Sequence, residues 1–301
     1  MAGPGPHYSG ALPRTRIEAT LFTDPSSPEA YSASPALRTI EWRYRDQIRW
    51  RLVTIGLSAP GSMPERSTGE MARSLTYFRD RYGMPFAIEP KLRHTTSARA
   101  CQAVIAARLI HPGMEWRVLR ALQLMEFNTP ILLDEDDHLL IALESVPGLD
   151  PLKVVLAIDT PEVQAAYDSE WAESRRATTG SLPPGDRGAE RPADTRVAPP
   201  TVIFGHEDRR MRVGGLQPAE AYDAAVDELD PGLVRTGPPE SPLEVLELYP
   251  GGLATQEVAA IMAPRSVAPD RGAVASLLDG LHSLGKVRRI AMGDDAVWLT
   301  A

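Results

Sequence analysis

The 301-residue sequence holds a single cysteine, Cys101, so no disulfide can close within it. A CxxC dithiol and a cysteine-rich zinc site are excluded on the same count. Lysine is nearly as scarce: Lys91, Lys153 and Lys286 stand against 29 arginines, a bias that reads as high-GC bacterial coding rather than chemistry. Positive charge is in deficit overall, with 32 Lys+Arg against 40 Asp+Glu and a net charge of -8. That balance repels phosphate backbones and anionic lipid surfaces, so neither nucleic acid nor a membrane is an expected partner. No stretch approaches the roughly 18 continuous apolar residues of a spanning helix. The amino terminus, MAGPGPHYSGALPRTR, lacks the apolar core of a signal peptide; residues 1–15 read as a flexible lead, and the expected compartment is cytoplasmic. The six histidines form no i, i+4 pair, and no metal is expected. DEDDH (Asp134 to His138) reads as an acidic helix start.

What is present suits a folded α/β protein: 43% of residues are hydrophobic, enough for a large core. Residues 16–23, RIEATLFT, read as a buried strand, and DPSSPEAY as a turn into a helix that Ser34-Pro35 opens afresh or kinks. IRWRLVTI, residues 48–55, is a second strand, and the strand–helix–strand order predicts parallel pairing. From 63 to 171 the signals are helical, with Asp150-Pro151 and Asp159-Thr160-Pro161 as helix starts. Cys101, Val104, Ile105 and Arg108 share one helix face, which makes Cys101 a core residue rather than a nucleophile. Residues 174–198 are polar and rich in proline and glycine, and read as a mobile loop. PPTVIF and RMRV then form a hairpin around GHEDR, followed by a helix in GGLQPAEAYDAAVDEL.

The twenty-eight prolines cluster, and the cluster at 231–242 marks a break. Beyond it, residues 240–301 show three helices and two strands around Met292-Gly293-Asp294-Asp295, a winged-helix pattern. That segment carries five basic and eight acidic residues, so it lacks the footprint of a DNA-binding module.

FTDPSSPEAY (Phe22 to Tyr31), ERSTGEMARSL, ARACQAVIAARL, APPTVIF and GGLQPAEAYD, spanning about residues 16–235, together resemble the DsbA family. The likeness extends to its relatives, the kappa-class glutathione transferases and the 2-hydroxychromene-2-carboxylate isomerases. It implies an α/β, thioredoxin-like fold over 16–235 with an inserted helical domain at 63–171, plus a small winged-helix-like domain at 240–301. Ser27 and Ala30 stand where the DsbA pattern has its two sulfurs, so no dithiol exchange is expected. Asp24, Ser27, Pro28, Ala30 and Tyr31 match the transferase and isomerase branch, D-x-x-S-P-x-[AS]-[YW]. Glu29 departs from the aromatic usual there, and its carboxylate opposes a thiolate.

By that resemblance Ser27 would activate a bound thiol, glutathione or mycothiol, in an isomerase or transferase reaction. Phe22, Asp24, Pro28, Glu29 and Tyr31 would line its pocket, faced by a cis-proline at Pro200 and by the Thr201 backbone. The partner is then a small thiol or a peptide in the groove between the first helix and the cis-proline; a homodimer is left open. The alternative makes Ser27-Pro28-Glu29 a plain helix start and the chain a non-catalytic peptide- or partner-binding protein. A DNA-binding regulator ranks behind both.

Overall fold

The computed structural model describes residues 16–58, 67–177 and 196–301; the amino-terminal lead and most of the 174–198 loop fall outside them. β1 (Ile17–Thr23) and β2 (Ile48–Thr54) pair in parallel, from Ile17 opposite Ile48 to Thr23 opposite Thr54. Between them run α1 (Pro28–Ser32) and α2 (Ser34–Tyr44). The break falls at Ala33, and Pro35 sits in the first turn of α2, where its missing N–H costs nothing. A 3-10 turn, Arg45–Gln47, leads into β2.

Six helices follow β2: α3 (Thr68–Tyr82), α4 (Ala98–Ile110), α5 (Glu115–Asn128), α6 (Asp136–Glu144), α7 (Pro151–Ala157) and α8 (Pro161–Arg176). Their starts are written locally. Ser67 and Glu70 form a reciprocal capping box, and Asp150 and Thr160 cap α7 and α8. Residues 174–177 close α8. α4 is buried on almost every side, Ala100, Ala103, Val104 and Ala107 included, so it forms the central rod of the insert. β3 (Thr201–His206), β4 (Arg209–Gly214) and α9 (Ala219–Leu229) complete a four-stranded sheet in the order β2-β1-β3-β4, with β3 antiparallel to both neighbours. DEDDH is the start of α6, as its composition suggests: Asp136 lies in the first turn and pairs with Arg99.

The carboxy-terminal part contains α10 (Pro242–Leu248), β5 (Leu253–Ala254), α11 (Thr255–Met262), α12 (Arg271–Ser283), β6 (Val287–Met292) and β7 (Asp295–Thr300), with sheet order β5-β7-β6. Its core of Val245, Leu246, Val258, Leu278 and Trp298 also takes in Trp42 of α2. Glu257, fully buried near the start of α11, is the polar centre of that junction. It receives two bonds from Arg120 of α5, one from Ser34 of α2 and one from its own helix start at Ala254 N (2.7 Å). The β6–β7 turn reaches further: Asp294 Oδ1 accepts the N–H of Phe86 at 3.0 Å. Gly293 (φ +54°) lies so close there that a Cβ would stand 2.3 Å from Asn128 Oδ1, so only glycine fits.

Candidate functional site

The loop leaving β1 is fixed by one carboxylate. Asp24 is fully buried; its Oδ1 accepts the N–H of Ser26 (2.9 Å), and its Oδ2 accepts from Leu57 N (2.8 Å), Ser97 Oγ (2.8 Å) and Cys101 Sγ (3.4 Å). Burial pushes this carboxyl above the ordinary carboxylate range, against the pull of those donors. Asp24 therefore ties the turn to the end of β2 and the start of α4. Cys101 is fully buried too, and burial, followed by the Asp24 charge, pushes its thiol well above the ordinary value. A thiol in that state is no nucleophile. Cys101 should resist an aromatic disulfide reagent in the native protein and react stoichiometrically once it is denatured; rapid native labelling would contradict the burial.

Ser27 is the N-cap of α1. Its Oγ accepts the N–H of Ala30 at 3.0 Å and donates to Glu29 Oε2 at 3.1 Å, and the residue has no exposed surface. Both hydrogen-bonding directions of the hydroxyl are thus in use within the turn. Tyr31 faces inward, stacked on Phe127 (5.0 Å) and edge-on to Phe86 (5.2 Å), with its hydroxyl accepting from Asn128 Nδ2 at 3.2 Å. Phe22 packs with Val53, Ile55 and Val197. The peptide bond Pro199-Pro200 is cis. It delivers Thr201 into β3 opposite Phe22, at the end of the sheet where the turn departs, and Thr201 Oγ1 donates to Ala198 O at 2.6 Å.

The open space lies beside this turn, toward the helical insert: a cavity of about 540 Å³. Ser26, Pro28, Leu57 and Ser58 form its thioredoxin side; Met71, Ala72 and Leu75 of α3, the 87–95 segment and the end of α5 form the rest. Of the eight residues singled out by sequence, Pro28 is a lining residue. Phe22, Asp24, Ser27, Glu29, Tyr31, Pro200 and Thr201 do not line it. Tyr31 supports the wall through Phe127 and Asn128, which do line the space.

The lining residues Lys91, Glu126 and Ser26 carry no motif. What signal exists is the apolar face of α3 at Met71, Ala72 and Leu75, which in sequence looks like any helix face packed on a core. Two cations of the wall are paired: Lys91 Nζ meets Glu126 at 2.7 Å, and Arg93 holds Asp134 at 2.8 Å and Glu135 at 2.6 Å. Burial raises the Glu126 carboxyl while Lys91 pulls it down. Among the described residues, no group of three or more His, Cys, Asp or Glu side chains could hold a metal ion, and no helix is long and apolar enough to cross a membrane.

A sheet in the order β2-β1-β3-β4, a cis-proline before β3 and a helical insert after β2 define a DsbA-like thioredoxin fold. Comparison with solved structures gives the same class. The chain is similar to a candidate protein disulfide isomerase from Nitrosomonas europaea (TM-score 0.58, 15% identity, covering 71% of this chain and 97% of that one). It is also similar to the cytosolic disulfide reductase DsbM from Pseudomonas aeruginosa (TM-score 0.52, 15% identity, 70% of this chain and 99% of that one). The same reductase solved with GSH matches at TM-score 0.51 and 17% identity, with 70% and 100% covered. No family model matches the sequence, and no curated relative matches it.

Proposed function

We propose that the protein binds an organic ligand in the cavity between the β1–α1 turn and the helical insert, and that it performs no dithiol exchange. One observation carries the reading: the cavity opens at the turn where this fold places its chemistry, yet its lining holds no cysteine and the chain's one thiol is buried behind Asp24. A space of about 540 Å³ lies within the range of small-molecule sites, and its surface is mainly apolar with polar and charged side chains interspersed along it. The expected result of an insulin-reduction assay is no turnover.

A second reading keeps the thiol. In it, glutathione or mycothiol binds at the start of α1 and Ser27 lowers the pKa of its sulfur for an isomerase or transferase step, with a peptide or small thiol held by Pro200 and Thr201. The GSH-bound reductase favours it. Against it stands the hydroxyl of Ser27, which must leave Glu29 before it can donate to sulfur.

Thermal shift with glutathione, mycothiol and bacillithiol, in wild type and Ser27→Ala, separates the two. A ligand at 100 times its dissociation constant adds about 2.7 kcal/mol of stability, well within detection. Under the binding reading Ser27→Ala costs about 0.5–2 kcal/mol for the lost cap and leaves ligand-induced shifts unchanged. A thiol-induced shift weakened by Ser27→Ala, with the pKa of the thiol that still binds raised, would favour the thiol-dependent enzyme instead.

A further inference from the structure

The cavity's charge arrangement says what kind of molecule fits. Among the described residues its basic side chains are Lys91, Arg93 and His94. Lys91 is taken by Glu126 and by the carbonyl of Ile131 (3.0 Å), and Arg93 by Asp134 and Glu135. An organic anion that took Lys91 or Arg93 as its partner would draw that cation off its carboxylate, stranding the carboxylate. At Glu126, which is only 9% exposed, the cost is that of an unpaired buried charge. The carboxylates around the two paired cations outnumber them, and Glu89 adds another on the wall. Potential in the cavity is therefore set against negative ligands before any contact forms.

Several polar side chains of the wall already have partners. The hydroxyl of Thr129 donates to Met125 O, the Ser58 hydroxyl accepts from Ser97 N, and the amide nitrogen of Asn128 is shared by Tyr31 and Leu124. Ser26 Oγ and Asn128 Oδ1 are buried polar atoms with no partner within the described protein. Neither atom is open to the space: both are closed off from solvent, and Asn128 Oδ1 is turned toward Gly293.

From this pairing we infer that the cavity takes an uncharged, predominantly apolar organic molecule, and that it rejects an anion of the same shape. The inference rests on the cavity being the binding site, as proposed above, and names the class of its ligand.

Two fluorescent arylamines of one skeleton test it on the full chain: N-phenyl-1-naphthylamine, which is neutral, and 8-anilinonaphthalene-1-sulfonate, which adds a sulfonate. The neutral probe is expected to bind tighter by on the order of tenfold or more. Ala72→Phe, which fills the space from α3, should abolish its binding, with Ala87→Phe as the replacement if circular dichroism shows the first variant unfolded. Glu126→Gln leaves the Lys91 ammonium unpaired, and should raise sulfonate affinity while barely moving that of the neutral probe.

If the sulfonate binds as tightly as the neutral probe and Ala72→Phe blocks both, the ligand class is wrong and the site stands. Should neither probe bind, or binding survive in both filled variants, the site itself is wrong and the ligand class falls with it.

Discussion

Replacing Glu257 with alanine is expected to lower the unfolding free energy by about 3–5 kcal/mol, because it strands the Arg120 guanidinium in the interior. Arg120 is 7% exposed and Glu257 fully buried, so water cannot take over the lost contacts. The same change removes the acceptor of Ser34 and the cap of Ala254 N, so three parts of the chain lose a common partner. Denaturant unfolding of the variant reads the effect. Pairing Glu257→Leu with Arg120→Met should recover most of the loss, since an apolar pair of similar volume leaves no charge unanswered. A single variant as stable as wild type would mean that the junction is wetter than its geometry implies.

Tyr31→Ala is expected to cost about 3–5 kcal/mol, the usual penalty for deleting a buried aromatic ring. Its ring is the packing centre for Phe86 and Phe127, and its hydroxyl steadies Asn128. Tyr31→Phe keeps the packing and loses one hydrogen bond, a cost of about 0.5–1.5 kcal/mol. A clear gap between the two variants in chemical denaturation assigns Tyr31 to support of the wall. If Tyr31→Phe matched Tyr31→Ala, the hydroxyl would hold the role now given to the ring.

Much of this architecture is legible in the chain because it is encoded locally. RIEATLFT and IRWRLVTI are apolar and β-rich enough to be strands anywhere, and Asp150-Pro151 or Thr160-Pro161 start helices without outside help. The proline before β3 is cis, as the resemblance implies. The site is less legible, because its parts lie far apart in sequence. Glu257 and Arg120 are 137 positions apart, and the cavity wall draws on residues from Ser26 to Pro130 with no shared spacing. Ser27 shows a second limit. A capping serine and a thiol-activating serine look alike in a sequence, and the capping bond to Ala30 N and the contact with Glu29 become visible only in the fold. Asp24 is similar: its place in the motif suggests a pocket, while its four donors make it a brace.

The contact between Asp294 and Phe86 has a consequence for synthesis. The two residues are 208 positions apart, so the segment beside the cavity cannot gain this bond until those further residues have been made. At translation rates of about 5–20 residues per second, the nascent chain holds Phe86 for roughly 10–40 s before its partner emerges. During that interval an aromatic cluster destined for the interior is without its last cover, and a chaperone that shields apolar surface would have its strongest effect on yield at that stage.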